Sequence, residues 1–424
     1  MIEIRVPGDK SISHRALMIG ALANGTTRVR DILTAADVRS TASVLRSLGA
    51  TVPDLLAARE VLVDGVGVRG FRSPDDALDC GNSGTTCRLM MGVIAGARVA
   101  GTFTGDASLR SRPMRRITDP VRQMGARAIE LGEAGKLPIR IEGGDLRSIR
   151  YELPHASAQI KSAILLAAAV NGVGVEVVEQ VRSRDHTERM LGAAGVPIAT
   201  EVKDDRIVVT LSPADRLEAL DVIVPGDFSS AAFFLAAALL GACDAVRVPD
   251  VCLNDTRTGM LRVLEMMGAD VSIENPRTVS GEPIGDVIAR RSELRPVSIG
   301  AEIVPSMVDE IPMLAMLAAR ADGETTIRGA GELRVKETDR IRAVVEGLRT
   351  IGVDADELED GMVVQGTTRP LKGLVKTYAD HRIAMCFAIL GAQPGNGIVV
   401  DDPAAVDISF PTFWTSLERI RAAA

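Results

Sequence analysis

Within six residues, Lys10, Ser11, Ser13, His14 and Arg15 set two cations, two hydroxyls and an imidazole ahead of an apolar run that reaches Asn24-Gly25. Ile12, Ala16, Ile19 and Ala23 repeat at the spacing of one buried helical face, which predicts a helix from about Ser11 with Asn24-Gly25 as its stop. Cations are poorly placed there. The unpaired N–H groups of a helix start carry about half a positive charge, so each added cation costs ~0.3–1 kcal/mol. An incoming anion reverses that sign. The plain alternative is a pair of solvated cations beside a serine cap.

Other segments carry similar chemistry. "GNSGTTCR", Gly81 to Arg88, is a glycine-rich turn into a helix, an arrangement that lets backbone N–H groups approach an anion, although it lacks the Gly-Lys-Ser/Thr ending of a P-loop. "SLRSRPM" puts Arg110 and Arg112 before Pro113, where a guanidinium can fork onto carboxylate or phosphate; solvated loop arginines are the alternative. In "LRVKETDRIRAVVEGL", Lys336, Glu337 and Arg340 fit one helical turn, either as a surface ion ladder or as a carboxyl set for proton transfer between substrate-binding cations. "VDEIP" and "ADHR" add Asp309 and Arg382 at predicted helix starts.

The elements that must position these residues repeat. A polar start followed by an Ala/Leu/Met-rich helix occurs at Lys10 and recurs at "GNSGTTCRLMMGVIAG", "SAQIKSAILLAAAVNG", "GDFSSAAFFLAAALLG", "MVDEIPMLAMLAARADG" and "ADHRIAMCFAILGAQPG". After each of the first five come a strand-like piece, a charged segment and a second helix ending at Gly49, Gly125, Gly195, Gly268 or Gly352. β-Branched runs such as "TRVRDI", "VEVVEQV", "RIVVTL" and "DGMVVQG" lie between helices, so each unit mixes α and β. The repeat is longer than solenoid periods, and two globular domains of three units each fit it best. "VPGD" at Val6–Asp9 returns at Val224–Asp227, which places both chain crossings there: residues 1–8 join 225–424, and 9–224 form an insertion. The first three starts carry Lys10, Arg15, Arg88, Ser157, Gln159 and Lys161; the last three carry Asp227, Asp309, Glu310, Asp380 and Arg382. Equivalent starts belong at equivalent ends, so each domain is expected to offer a polar face, and two such faces would form an anion-binding cleft.

Composition narrows the partners. A net charge of −7 argues against a general nucleic-acid or acidic-membrane surface, and aromatics at 3% leave few rings for base stacking. Cys80, Cys87, Cys243, Cys252 and Cys386 are odd in number without a C-x-x-C pair, which speaks against a disulfide framework or a zinc site. The N-terminus has no apolar signal core, and runs such as "AAFFLAAALL" fall short of a membrane span, so a soluble, cytoplasmic protein is expected.

Taken in order, "PGDKSISHR", "GNSGTT", "RSRP", "SAQIKS", "RVKETDR" and "DHRIAM" span the chain and resemble the 5-enolpyruvylshikimate-3-phosphate synthases. The resemblance implies an α/β (α+β) protein of two similar domains, each of three βαβαββ units, with the active site in the interdomain cleft. It implies transfer of the enolpyruvyl group of phosphoenolpyruvate to the 5-hydroxyl of shikimate 3-phosphate, with release of phosphate and without metal or other cofactor. By motif, Lys10, Ser11, Arg15, Ser157, Gln159, Asp309 and Lys336 would contact shikimate 3-phosphate. Lys10, Gly84, Arg112, Gln159, Arg340 and Arg382 would hold phosphoenolpyruvate, in a pocket that glyphosate also occupies in this family. Lys10, Asp309 and Glu337 would be catalytic: Glu337 protonates the methylene carbon, Asp309 accepts the hydroxyl proton, and Lys10 stabilises charge.

Three positions depart from the family pattern in some members: Ile408 stands where a lysine often precedes "SFP" or "TFP", a substrate-site tyrosine is replaced around His186, and Glu332 stands for an asparagine. His186 is open to a substrate role or to one as a surface or capping histidine. Two other functions remain on the residues alone. A UDP-N-acetylglucosamine enolpyruvyl transferase shares the architecture but uses a loop cysteine that "GDASLRSRP" does not offer, and a noncatalytic anion-binding protein needs neither Glu337 nor Asp309. A monomer without nucleic-acid or membrane partners is expected.

Overall fold

The five glycines at which second helices were expected to end have φ of 98° (Gly49), 116° (Gly125), 86° (Gly195), 72° (Gly268) and 91° (Gly352), the left-handed conformation in which glycine closes a helix without a Cβ penalty. They punctuate a computed structural model that describes residues 1–55 and 60–422. Gly8–Val224 form one unit of the chain, and Met1–Pro7 with Pro225–Ala424 form the other.

The inserted unit holds helices α1 (Lys10–Leu22), α2 (Ala36–Ser47), α3 (Gly84–Gly96), α4 (Ala107–Ser111), α5 (Arg115–Met124), α6 (Ala158–Asn171) and α7 (His186–Ala193). The discontinuous unit holds α8 (Phe228–Leu239), α9 (Gly259–Met266), α10 (Ile311–Ala318), α11 (Arg340–Thr350), α12 (His381–Gly391) and α13 (Phe413–Arg421). Among the described residues, no helix is long and apolar enough to cross a membrane.

One sheet pattern recurs. Leu78–Asp79 runs parallel to Ala100–Thr104, which pairs antiparallel with Ile139–Glu142, which pairs antiparallel with Arg127–Glu130. The same order links Arg150–Glu152, Val175–Glu179, Arg206–Leu211 and Ile198–Lys203 in the inserted unit. In the discontinuous unit it links Ile2–Glu3, Ala245–Cys252, Glu282–Arg290 and Asp270–Val279, and again Ser298–Ile299, Glu324–Ile327, Gly361–Gln365 and Ala355–Leu358. A parallel pair needs a crossover, and α3, α6, α8 and α10 supply it; an antiparallel pair needs only a hairpin. The remaining repeats are variants, with Asp221–Ile223 beside Ala23–Arg30 and Glu60–Val66, and Lys372–Val375 beside Gly397–Val400.

The apolar helices sit inside these layers. In α6 every residue from Ile160 to Val170 is buried, and from Ala163 to Val170 the helix is apolar all round, as a core helix must be. In the discontinuous unit, Phe233 and Phe234 of α8 meet Phe413 of α13 at ring-centroid distances of 6.0 and 5.7 Å, which pins the C-terminal helix to the core. The polar starts cap their own helices: Asp9 accepts from Ile12 N–H at 2.9 Å, Ser83 from Thr86 N–H at 3.2 Å, Asp227 from Ser230 N–H at 3.1 Å and Asp380 from Arg382 N–H at 2.9 Å. Both copies of "VPGD" thus end in a capping aspartate. The expected stop at Asn24-Gly25 is corrected: α1 ends at Leu22 and the chain passes straight into Ala23–Arg30, because Asn24 and Gly25 pair with Val66 and Gly65 of the neighbouring strand.

The closest helix packing aligns the inserted unit's second and third repeats. Gly92 and Gly96 of α3 lie on Ala163 and Ala167 of α6, so close that a Cβ on either glycine would stand 2.3 Å from the facing carbonyl oxygen. Gly92→Ala must therefore separate the two helices and is expected to destabilise the protein by ~1–3 kcal/mol. Gly144, with nothing within 4 Å of its Cβ position, is the control. Chemical unfolding of both alanine variants should show a lower midpoint for Gly92→Ala alone.

Candidate active site

The helix starts gather the cations in each unit. In the inserted unit, Lys10, the first residue of α1, forms an ion pair with Asp37 at the start of α2. Arg15, one turn on, is only 3% exposed and is gripped on three sides: Nε donates to Thr187 Oγ1 at 2.6 Å, Nη1 to the Ser11 carbonyl at 2.9 Å and Nη2 to Ser162 Oγ at 2.7 Å. A solvated Arg15 is thereby excluded. Ser11 itself is half-buried in the first turn of α1.

The glycine-rich turn opens α3, with Gly84 as its first residue and Ser83 as its cap. A Cβ on Gly84 would lie 3.4 Å from Nη1 of Arg112 and 3.4 Å from Nη1 of Arg88, so its α-carbon faces two guanidinium groups. Arg112 follows the short α4, is 6% exposed and donates to Asn82 Oδ1 at 2.7 Å and Ser108 Oγ at 3.1 Å; Arg110 is exposed. Arg88 donates to Gln159 Oε1 at 2.7 Å, and Gln159 Nε2 donates to Thr85 Oγ1 at 3.1 Å. This brings Gln159 of α6 to the same place, next to buried Ser157, the residue preceding α6.

Lys161 behaves differently from its neighbours. It is 1% exposed, with Nζ 2.8 Å from Glu179 and 2.7 Å from Glu188. Burial alone would lower its pKa, but Glu188 and Glu179 outweigh it and raise the value above the ordinary lysine range. Burial also raises the Glu188 carboxyl, against the pull of Lys161. This lysine holds α6 to α7.

In the discontinuous unit, Arg340 opens α11 with only 2% of its side chain exposed. Its Nε donates to Asp380 at 2.8 Å, Nη2 donates to Glu337 at 2.7 Å and Nη1 lies 3.7 Å from Asp309. Burial on its own would lower the guanidinium pKa; Asp380, Glu337 and Asp309 together carry it above the ordinary arginine value. Lys336 Nζ lies 3.7 Å from Asp309 and 3.6 Å from Glu332, and Arg382 Nη1 donates to the Asp309 carbonyl at 3.2 Å. Asp309, Lys336, Glu337, Arg340 and Arg382 therefore form one cluster. The reading of Lys336, Glu337 and Arg340 as one helical turn is corrected: Gly331–Val335 form a 3-10 turn, Lys336 is extended, and α11 starts only after Asp339, whose carboxylate caps Arg342 N–H at 3.1 Å.

Several participants had no sequence signal of their own. Asp37, Ser162 and Thr187 complete the cation sites from distant segments, and Arg88 was visible only as a polar start although it lies one turn beyond Gly84. A second buried cluster joins Arg257, just before α9, to Asp227 at 3.3 Å, Ser229 at 2.9 Å and Glu310 at 3.4 Å. Among the departures, Ile408 ends a 3-10 segment, and His186 is fully buried at the start of α7, which excludes a surface role.

Repeated βαβαββ layers with cationic helix starts define an enolpyruvyl-transferase-like architecture, and a structure of the enolpyruvyl transferase NikO from Streptomyces tendae shares the fold, with a TM-score of 0.74 at 17% identity over 99% of this chain and 94% of that one. The sequence model of the family described as EPSP synthase (3-phosphoshikimate 1-carboxyvinyltransferase) matches residues 2–417, and the chain belongs to that family. A 3-phosphoshikimate 1-carboxyvinyltransferase of Persephonella marina is 46% identical over 99% of this chain and 96% of its own. One of Caulobacter vibrioides is 47% identical over 97% and 93%. The EPSP synthase structure from Acinetobacter baumannii superposes with a TM-score of 0.85 at 41% identity, covering 99% of this chain and 95% of that one.

One residue of the opening motif has a consequence for stability. His14 is fully buried; burial pushes its pKa down from 6.5 to about 3, aided by Lys10 and Arg15 and opposed by Asp37. The unfolded chain therefore binds a proton near pH 6.5 that the folded chain refuses until about 3, so stability is complete above pH 6.5 and falls as the pH drops through that window. The slope is ~1.4 kcal/mol per pH unit. His14→Asn should remove about one proton from the acid dependence of unfolding, measured as the difference in slope between denaturation series at several pH values.

Proposed function

We propose that the two cation-rich clusters serve one reaction, with the work divided by residue as follows. The chain transfers the enolpyruvyl group of phosphoenolpyruvate to the 5-hydroxyl of shikimate 3-phosphate and releases phosphate. The substrates bring two phosphates and two carboxylates, and the observation that carries the assignment is that cations at helix starts in both units are paired in advance with carboxylates: Lys10 with Asp37, and Arg340 with Glu337, Asp380 and Asp309.

Lys10, Ser11, Arg15, Ser157, Gln159, Asp309 and Lys336 bind shikimate 3-phosphate. Lys10, Gly84, Arg112, Gln159, Arg340 and Arg382 bind phosphoenolpyruvate, the arginines through forked hydrogen bonds to its anionic groups. Asp309, beside Lys336 and Arg340, accepts the proton of the 5-hydroxyl as that oxygen bonds to C2 of phosphoenolpyruvate. Glu337 delivers a proton to the methylene carbon. A substrate anion arriving at Arg340 competes for the guanidinium that holds Glu337, and a carboxylate released from a cation takes up a proton more readily. The tetrahedral adduct then loses phosphate by cleavage of its C–O bond, and removal of a methyl proton restores the double bond. Lys10 stabilises the charge that develops. A monomer in the cytoplasm is the proposed working form, carried by composition and motif alone.

Glu337→Gln keeps the hydrogen-bonding shape but cannot donate the proton, so kcat should fall by ~10²–10⁴-fold while both KM values change little. Phosphate release assayed with both substrates, beside a circular-dichroism spectrum, checks this; wild-type turnover would return Glu337 to a surface ion ladder. Lys10→Met should lose at least ~10- to 100-fold in turnover for one charge-assisted hydrogen bond.

Gly84→Ala puts a methyl group at ordinary contact distance from Arg112 and Arg88, so the fold should stand and the ligand should pay. Overpacking of ~1–3 kcal/mol corresponds to roughly five- to 150-fold in affinity. The ratio of the glyphosate inhibition constant to the phosphoenolpyruvate KM should rise, since the longer occupant loses more. A flat ratio with both constants unchanged would limit Gly84 to shaping the turn.

A further inference from the structure

Behind the start of α3 runs a line of side chains to which the roles above give no task. His14 Nδ1 on α1 lies 2.6 Å from Thr41 Oγ1 on α2, which lies 2.7 Å from Thr86 Oγ1 on α3, which lies 2.7 Å from Ser83 Oγ. None of the four is more than 1% exposed. Ser83 Oγ also accepts the backbone N–H of Thr86 at 3.2 Å, and the Asp37 carbonyl, 3.3 Å from Thr86 Oγ1, is a longer alternative for the threonine proton.

A row of hydroxyls has a direction, because each gives one proton and receives another. The imidazole sets it. Lys10, Arg15 and Asp37 are the charged groups that act on the ring; burial, against the pull of Asp37 and with Lys10 and Arg15 beside it, keeps the ring neutral, so it carries one proton on one nitrogen. Among the described residues, His14 Nε2 has no hydrogen-bond partner. A buried N–H without an acceptor costs more than an unmet lone pair, so the proton belongs on Nδ1. Nδ1–H then donates to Thr41, Thr41 to Thr86, and Thr86 to Ser83 over the shorter of its two contacts. Ser83 Oγ accepts twice, so its own proton must point to a different acceptor. The next residue is Gly84, whose α-carbon faces the guanidinium groups of Arg88 and Arg112.

We propose that His14 is a positioning residue: by fixing the direction of this hydroxyl chain, it turns the Ser83 O–H toward the anionic group of phosphoenolpyruvate held at Gly84. The proposal rests on the reading that Gly84 lines the phosphoenolpyruvate pocket. Ser83 thereby becomes a substrate contact, and Thr41 and Thr86 the links that fix its orientation.

Two measurements test it. Side-chain nitrogen NMR of the wild-type protein, with His14 assigned by comparison with His14→Asn, should show an Nδ1–H tautomer that does not titrate between about pH 5 and about pH 8. An Nε2–H tautomer, or a ring that titrates in that range, would overturn the chain's direction. In kinetics, His14→Leu and Ser83→Ala should each raise the KM for phosphoenolpyruvate about tenfold, the effect of one hydrogen bond to an anion. The KM for shikimate 3-phosphate and kcat should stay within about twofold, and the double variant should be no worse than either single one, because both break the same chain. His14→Asn, which keeps an N–H near the Nδ1 position, should recover most of the loss. Multiplying effects in the double variant, an equal rise in both KM values, or an asparagine variant as impaired as leucine would reduce His14 to a packing role. If His14→Leu does not fold, the wild-type tautomer and Ser83→Ala decide, and an unchanged phosphoenolpyruvate KM in Ser83→Ala overturns the proposal. A wild-type protein that releases no phosphate with both substrates present would instead sink the underlying reading of the reaction.

Discussion

A positive side chain at the positive end of a helix must be held there against electrostatics, and much of this protein is arranged around doing so. Arg340 opens α11 and Lys10 opens α1, where each is unfavourable by itself. Their partners stand where carboxylates are welcome: Asp380 caps α12, and Asp37 lies in the first turn of α2. Each acid is thus stabilised twice, by its own helix and by a neighbour's cation. That arrangement works only if the helix starts converge, so the repeated strand order that brings them together is a condition of the site. Removing one partner of a buried pair such as Arg340–Asp380 would leave an uncompensated charge, at a typical cost of ~3–5 kcal/mol.

The local parts of the fold were legible because they rest on short-range rules. A glycine after a charged amphipathic helix reads as a left-handed C-terminal cap, and all five such positions adopt that conformation. The six apolar helices were legible because a run such as Ala163–Val170 can satisfy itself only inside a core. Asn24-Gly25 misled because the same dipeptide that ends a helix can start a strand when a partner strand is at hand, and that partner, Glu60–Val66, lies far along the chain. Lys336 to Arg340 misled for a related reason. Spacing of i, i+4 fits a helix, but Asp339 is a strong cap, and a cap starts the helix after itself.

The cations of the candidate site were conspicuous in the sequence, and what holds them much less so. Lys10, Arg112, Arg340 and Arg382 stand out beside glycines, prolines and helix starts. Thr187 and Ser162, which grip Arg15, are ordinary residues until the fold brings them within 2.6 and 2.7 Å of the guanidinium. Lys161 shows the opposite case. Its place at a polar start resembled that of its neighbours, yet Glu179 and Glu188 take its charge into the interior, where it joins two helices. Only the three-dimensional partners mark Lys161 as a cation for packing.

The partners also vary in kind: in the inserted unit Lys10 pairs with the Asp37 carboxylate, whereas Arg15, Arg88 and Arg112 have neutral acceptors. Arg15 is held by hydroxyls and a carbonyl, Arg88 by the amide oxygen of Gln159, and Arg112 by the amide oxygen of Asn82 and a serine. Such acceptors orient a guanidinium through hydrogen bonds. Around Arg340 and Lys336 the acceptors are Asp309, Glu337 and Asp380, which do cancel charge. Such a cluster contains groups that can accept and donate protons. Lys10 beside Asp37, and Arg340 beside Asp309, Glu337 and Asp380, set a carboxylate next to a cation in each unit, so an anion that reaches either cation must compete with a carboxylate already there.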